Sequence, residues 1–166
     1  MEFEISKIDA AVEQLDWAIR LFLDHKAYVP AITLAGVADE VLGKAVGSRA
    51  AFEILKRTFA AQLSKSEKDI SQGHLNKAKN WLKHWDGRAD NEKIRLDLDE
   101  EAIQYILRAL ANLVAHDKSV PSEGPRFWAW MSAHRPDLLE KHGLSVSVTS
   151  DENFRIAVDP KPSRCA

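Results

Sequence analysis

The chain of 166 residues holds a single cysteine, Cys165, beside its C-terminus. One thiol cannot close an intrachain disulfide or build a thiolate zinc cluster, so both frameworks are excluded. Glycine and proline are scarce, at 7 and 6, and such thin punctuation favours long helices over many short strands. No run approaches the roughly 18 consecutive apolar residues of a membrane span. The opening Met1-Glu2-Phe3-Glu4 is acidic and lacks the apolar core of a signal peptide. A cytoplasmic address without membrane contact is therefore expected. The six histidines, at 25, 74, 84, 116, 134 and 142, show no His-Glu-x-x-His spacing, so no metal site is predicted. Glycine-rich phosphate loops, dinucleotide fingerprints and nucleophile elbows are missing too, and no cofactor is expected.

What is present is ordinary globular composition, 45% hydrophobic and 29% charged. The net charge of −2 conceals a pattern. Residues 1–43 carry 3 basic and 8 acidic side chains, residues 44–95 carry 12 and 6, and residues 96–166 carry 8 and 11. A basic middle thus lies between acidic flanks. Either neighbouring helices complement one another, or the middle third holds an anion.

Apolar periodicity predicts an all-α fold, an up-and-down bundle of about five helices with a small C-terminal appendage. The first helix covers roughly 5–24 through Ile5, Ile8, Val12, Leu15, Ile19 and Phe22. The second begins near Pro30, carries Leu34, Val37, Val41 and Ala45 on one face, and ends before Gly47. Ser48 is the expected cap of a third helix over 49–63, with Phe52, Leu55, Phe59 and Leu63. Ser64 to Gly73 reads as a loop, 74–86 as a fourth helix, and 88–97 as loop or extended chain. Asp97 and Glu100 have capping-box spacing at the head of a fifth helix, whose stripe is Ile103, Ile106, Leu107, Leu110, Leu113 and Val114. Residues 1–120 form the bundle. Residues 121–158 form a cover with short helices and a hairpin that pairs Val146 and Val148 with Phe154, Ile156 and Val158 around 149–153. Residues 159–166 form a loose tail.

The stretch that bears chemistry is Lys79-Asn80-Trp81-Leu82-Lys83-His84-Trp85-Asp86. Helical spacing puts Leu75, Ala78, Leu82 and Trp85 on one face, and Lys77, Asn80 and His84 on the other. Imidazole trades protons near neutral pH, and an amide with a cation can hold a phosphate. The same pattern also suits a plain solvated helix face. On the fifth helix Arg108, Asn112 and His116 form a stripe at fourfold spacing. It is expected to face solvent or an interface, with Arg108 as an alternative guanidinium source. Glu40 and Lys44 have the spacing of a surface pair. Asp39, by contrast, is a candidate to face inward and orient a His or Arg.

The helix order, the small-residue second helix Leu34–Lys44 and the Lys-Asn-x-x-Lys-His stretch at 79–84 resemble the HEPN superfamily of helical domains. The resemblance spans about residues 5–117. It implies a homodimer, a bound RNA or nucleotide, and a cognate protein partner in a defence or toxin–antitoxin setting. Two activities are implied. One is a non-catalytic binding and dimerisation module. The other is a metal-independent endoribonuclease with His84 as acid or base, Lys79 stabilising phosphorane charge and Asn80 orienting the phosphate. In that reading Lys83 and Arg88 contact the RNA backbone, Trp85 stacks a base, and Arg108, Asn112 and His116 complete the binding set. Lys79 stands where the family has arginine, which costs the planar fork that grips phosphate through two bonds.

Overall fold

The structure, a computed structural model, describes residues 2–84, 93–117, 119–141, 144–148 and 154–158. The chain divides into two compact units, Met1–Pro121 and Ser122–Ala166. The first unit is an all-α bundle. Helix α1 (Lys7–His25) starts at Ser6, whose hydroxyl accepts the Asp9 N–H at 3.0 Å. It buries Ala11, Leu15, Ala18, Ile19 and Phe22 and ends on Lys26 in left-handed backbone. Helix α2 (Tyr28–Val46) carries Pro30 in its first turn and stops at Gly47, whose φ of 62° suits a residue without Cβ.

The core face of α2 departs from the expected one. Ala31, Ile32, Ala35, Ala38, Leu42 and Val46 are buried, whereas Val37 stays 42% exposed and Ala45 is exposed. Leu34 and Val41 are half-buried. The helix is apolar nearly all round, so periodicity alone cannot choose its inner side. Close approach decides it, because the face of small residues lets α2 pack tightly against α1 and α6.

A 3-10 turn, Gly47–Arg49, leads into α3 (Ala51–Leu63). The expected Ser48 cap is not used. Ala50 is the N-cap without a side-chain bond of its own, and the Ala51 N–H donates instead to Asn112 Oδ1 at 2.7 Å. The predicted loop after Ser64 is also largely helical. Ser66 caps the short α4 (Glu67–Ile70) by accepting the Asp69 N–H at 3.1 Å, and a π turn follows over Ser71–Leu75. Helix α5 (Lys77–Lys83) is shorter than the predicted 74–86, and residues 85–86 lie outside the described part.

Helix α6 (Leu98–Asp117) bears out the predicted start, with Glu100 N–H donating to Asp97 Oδ1 at 3.1 Å. It buries Ile103, Ile106, Leu110 and Leu113. The second unit holds α7 (Gly124–His134), α8 (Pro136–Lys141) and an antiparallel hairpin of β1 (Leu144–Val148) and β2 (Phe154–Val158). Val146 pairs with Ile156 and Val148 with Phe154, the strands expected from alternation. Trp128 is buried, while Trp130 is half-buried and stacks on His134 at 5.0 Å. Among the described residues, no helix is long and apolar enough to cross a membrane.

Candidate functional site

Gly36 and Gly43 bracket Asp39 on α2, and the space they leave admits polar side chains from two other helices. A Cβ on Gly36 would lie 2.9 Å from Lys79 Cδ, and one on Gly43 would lie 3.3 Å from Asn112 Nδ2. The small residues of α2 therefore serve a polar seam. Into it α6 sends Arg108 and Asn112, which are 3% and 0% exposed beside an Asp39 that is 3% exposed. The fourfold spacing on α6 predicts a stripe facing solvent or an interface. Arg108 and Asn112 turn inward because Asp39 offers a carboxylate inside the core, where a lone charge would be costly.

The seam is fully bonded. Arg108 Nε donates to Asp39 Oδ2 at 3.1 Å, and Nη2 donates to the same oxygen and to Asn76 Oδ1. Nη1 donates to the Leu75 carbonyl at 2.8 Å. Asn112 Nδ2 donates to Asp39 Oδ1 at 3.0 Å and to the Asp39 carbonyl at 3.2 Å. The Tyr105 hydroxyl joins the group, donating to Leu75 O at 3.1 Å and accepting the Lys79 N–H at 3.3 Å. Burial pushes the Tyr105 phenol up to about 12, against a weaker pull from Arg108. The guanidinium also lies over the rings of Tyr105 and Phe52, at 4.6 and 5.3 Å. Among the described residues no buried side-chain nitrogen or oxygen lacks a partner. Arg108 and Asn112 thus hold the π turn, the base of α5 and the N-terminus of α3 together.

The Lys79 motif is arranged differently. Lys79 runs its stem across Gly36, its side chain 16% exposed, and its ammonium meets Glu40 Oε2 at 3.4 Å. Lys44 meets the other oxygen of Glu40 at 2.9 Å, the expected surface pair. The Lys44 hydrogen bond, then the Lys79 charge, hold the Glu40 carboxyl below its ordinary value. Asn80 is half-buried. His84 does not continue the helix: its N–H closes the last bond to Asn80 O at 3.0 Å, but its backbone is extended (φ −112°, ψ 117°) and the residue is exposed. His84 therefore stands as the C-cap of α5, one turn beyond Asn80. Lys83 is exposed, and His116 is exposed at the end of α6 with Nδ1 3.7 Å from Asp117 Oδ2. Arg88 and Trp85 lie outside the described residues.

What the structure does bring together is a groove of about 640 Å³ between α2, the start of α3 and the base of α5. Lys44, Lys79 and Arg108 reach it, and so do Asp39, Glu40 and Asn76. Lys79 and Arg108, proposed from different helices as alternative cations, share this one concavity, and His84 is not on its wall. Among the described residues no cluster of His, Cys, Asp or Glu could hold a metal ion. No family model, curated protein or solved structure matches the chain.

Sequence reasoning missed Tyr105, Asn76 and the Leu75 carbonyl. Tyr105 was legible as a phenol one turn before Arg108 on α6. The carbonyl was not, since only the π turn frees it from helical bonding.

Proposed function

We propose that this chain is a non-catalytic, HEPN-like helical module that works by binding and by dimerisation. The engagement of Lys79 away from His84's polar face carries this reading: its stem and ammonium are taken up by α2, and His84 is not on the wall of the groove that Lys79 lines. Lys79 is committed to Glu40 and α2, whereas His84 leaves α5 in extended backbone. Metal-free cleavage of a phosphodiester needs the proton carrier and the stabilising cation at one phosphate.

The groove supports the binding half of the proposal. Its volume is that of a small-molecule site, and Lys44, Lys79 and Arg108 line it together with Asp39, Glu40 and Glu53, so both signs of charge are available to a ligand. A nucleotide or the end of a short RNA would be held there through Lys44 and Lys79, in exchange for their contacts to Glu40. The outer stripe of α2, with Val37 exposed beside half-buried Leu34 and Val41, supports the second copy.

Cleavage of RNA in chelator by wild type and His84→Ala tests the reading. Equal, background-level cleavage by the two proteins is expected. Cleavage by wild type that disappears in His84→Ala would refute it. Sedimentation addresses the dimer: Val37→Asp should shift the population to monomer, and a wild type already monomeric at the highest soluble concentration would contradict that half.

A further inference from the structure

Helix α3 differs from the other long helices of the bundle in one respect. Each of α1, α2 and α6 buries at least five residues, whereas none of the thirteen residues of α3 is buried. Ile54 and Leu63 are 51% and 52% exposed, and Phe52, Leu55 and Phe59 are only half-covered. Isolated helices of this length are marginal in water, so α3 depends on a few tethers. At its head these are the Asn112 cap on Ala51 N–H and the Phe52 ring against Arg108. Further along, Lys56 reaches Glu67 of α4 at 3.3 Å.

Space remains beneath both ends of the helix. Phe52 and Glu53 wall the 640 Å³ groove, and Phe59, Gln62 and Leu63 wall a second cavity of about 530 Å³ against His74, Lys77 and the start of α6. The flanking backbone suits a hinge. Gly47 sits at φ 62° with nothing within 4 Å of a would-be Cβ, and Ser64 sits at φ 51°. A well-bonded seam thus lies next to a thinly held cover.

We propose that α3 is a hinged lid, which lifts as one unit about Gly47 and Ser64 while α1, α2 and α6 stay folded, and so widens both of these solvent-open concavities. This goes beyond the binding reading and does not depend on which ligand the groove takes. Opening costs the cap on Ala51, the cover of Phe52 and the Lys56–Glu67 contact, but leaves the Asp39–Arg108–Asn112 contacts intact. The lid is therefore the low-stability segment of an otherwise firm bundle.

Amide hydrogen exchange of the full chain, followed by mass spectrometry across a series of low urea concentrations, tests the lid. After correction for intrinsic rates, amides of 55–63 should exchange together, about 100-fold faster than the central amides of α2 and α6, and with weaker urea dependence. Lys56→Ala should speed the α3 amides further and leave α2 and α6 unchanged. The proposal is overturned if the α3 amides merge with those of α2 and α6, or if their rates rise gradually toward Leu63 as simple fraying would give. It is equally overturned if Lys56→Ala accelerates all three helices alike.

Discussion

The seam between α2 and α6 and the outer end of α5 carry similar chemistry, a cation, an amide and a hydrogen-bonding ring, yet the two regions use it differently. In the seam Arg108, Asn112 and Tyr105 converge on Asp39 and Leu75 O with every buried donor satisfied. At α5, Lys79 is drawn to Glu40 and Gly36, Asn80 is half-buried, and His84 is exposed at the C-cap. A carboxylate inside a small-residue helix gathers partners. A polar face on a seven-residue helix does not. Both places offer an amide with a partner four positions along, Arg108 with Asn112 and Asn80 with His84, so it is the surroundings that separate structure from site.

Substitutions can break that contrast, and Asp39→Ala should do the most damage. It leaves the Arg108 guanidinium buried and uncompensated, an expected loss of about 3–5 kcal/mol in urea-unfolding free energy. Against a typical total of roughly 5–15 kcal/mol, that approaches unfolding. Replacing both partners, as in Asp39→Leu with Arg108→Met, should recover much of the loss. Asn112→Ala comes next, at about 1–3 kcal/mol, since it opens the α3 cap and strips a bond from Asp39. The variant should also detach α3 before the rest unfolds.

Alkaline pH gives a smaller effect of defined sign. The Tyr105 phenol ionises more readily in the unfolded chain than in the fold, where it is raised from 10.0 to about 12. Its contribution is therefore complete below pH 10 and lost as pH climbs to about 12. Tyrosinate absorbance should show a late phase that Tyr105→Phe abolishes. Glu40 behaves in the opposite sense. Its lowered carboxyl stabilises the fold above the ordinary carboxylate range and ceases to do so as pH falls through the folded value. Glu40→Gln should flatten the acid limb of the stability profile slightly. His84→Ala should change least, within about 0.5 kcal/mol, as for an exposed residue.

Much of the fold was legible in the sequence. The Asp97–Glu100 cap, the α6 stripe, the stop at Gly47 and the hairpin strands all follow from local signals that tertiary contacts leave alone. The inner face of α2 was not legible, because Val37 and Ala38 are both apolar and only packing ranks them. Nor was the helical path of 67–75, where Ser66 supplies a cap inside a polar stretch that resembles a loop. For the site, Asp39 as an inward partner of an arginine could be read from its apolar setting, and Glu40 with Lys44 from their spacing. Arg108 and Asn112 looked like a surface stripe, because their burial depends on Asp39, sixty-nine and seventy-three positions away.

In the function proposed above, the uptake of Lys79 by Glu40 and α2, rather than the change from arginine to lysine, keeps the motif from acting as a cleavage centre. Arginine restored there is the most direct test, with metal-free RNA cleavage compared between Lys79→Arg and Lys79→Arg combined with His84→Ala. The hold of Glu40 and α2 on position 79 predicts no gain in either protein over wild type. Cleavage that appears in Lys79→Arg and vanishes in the double variant would contradict it.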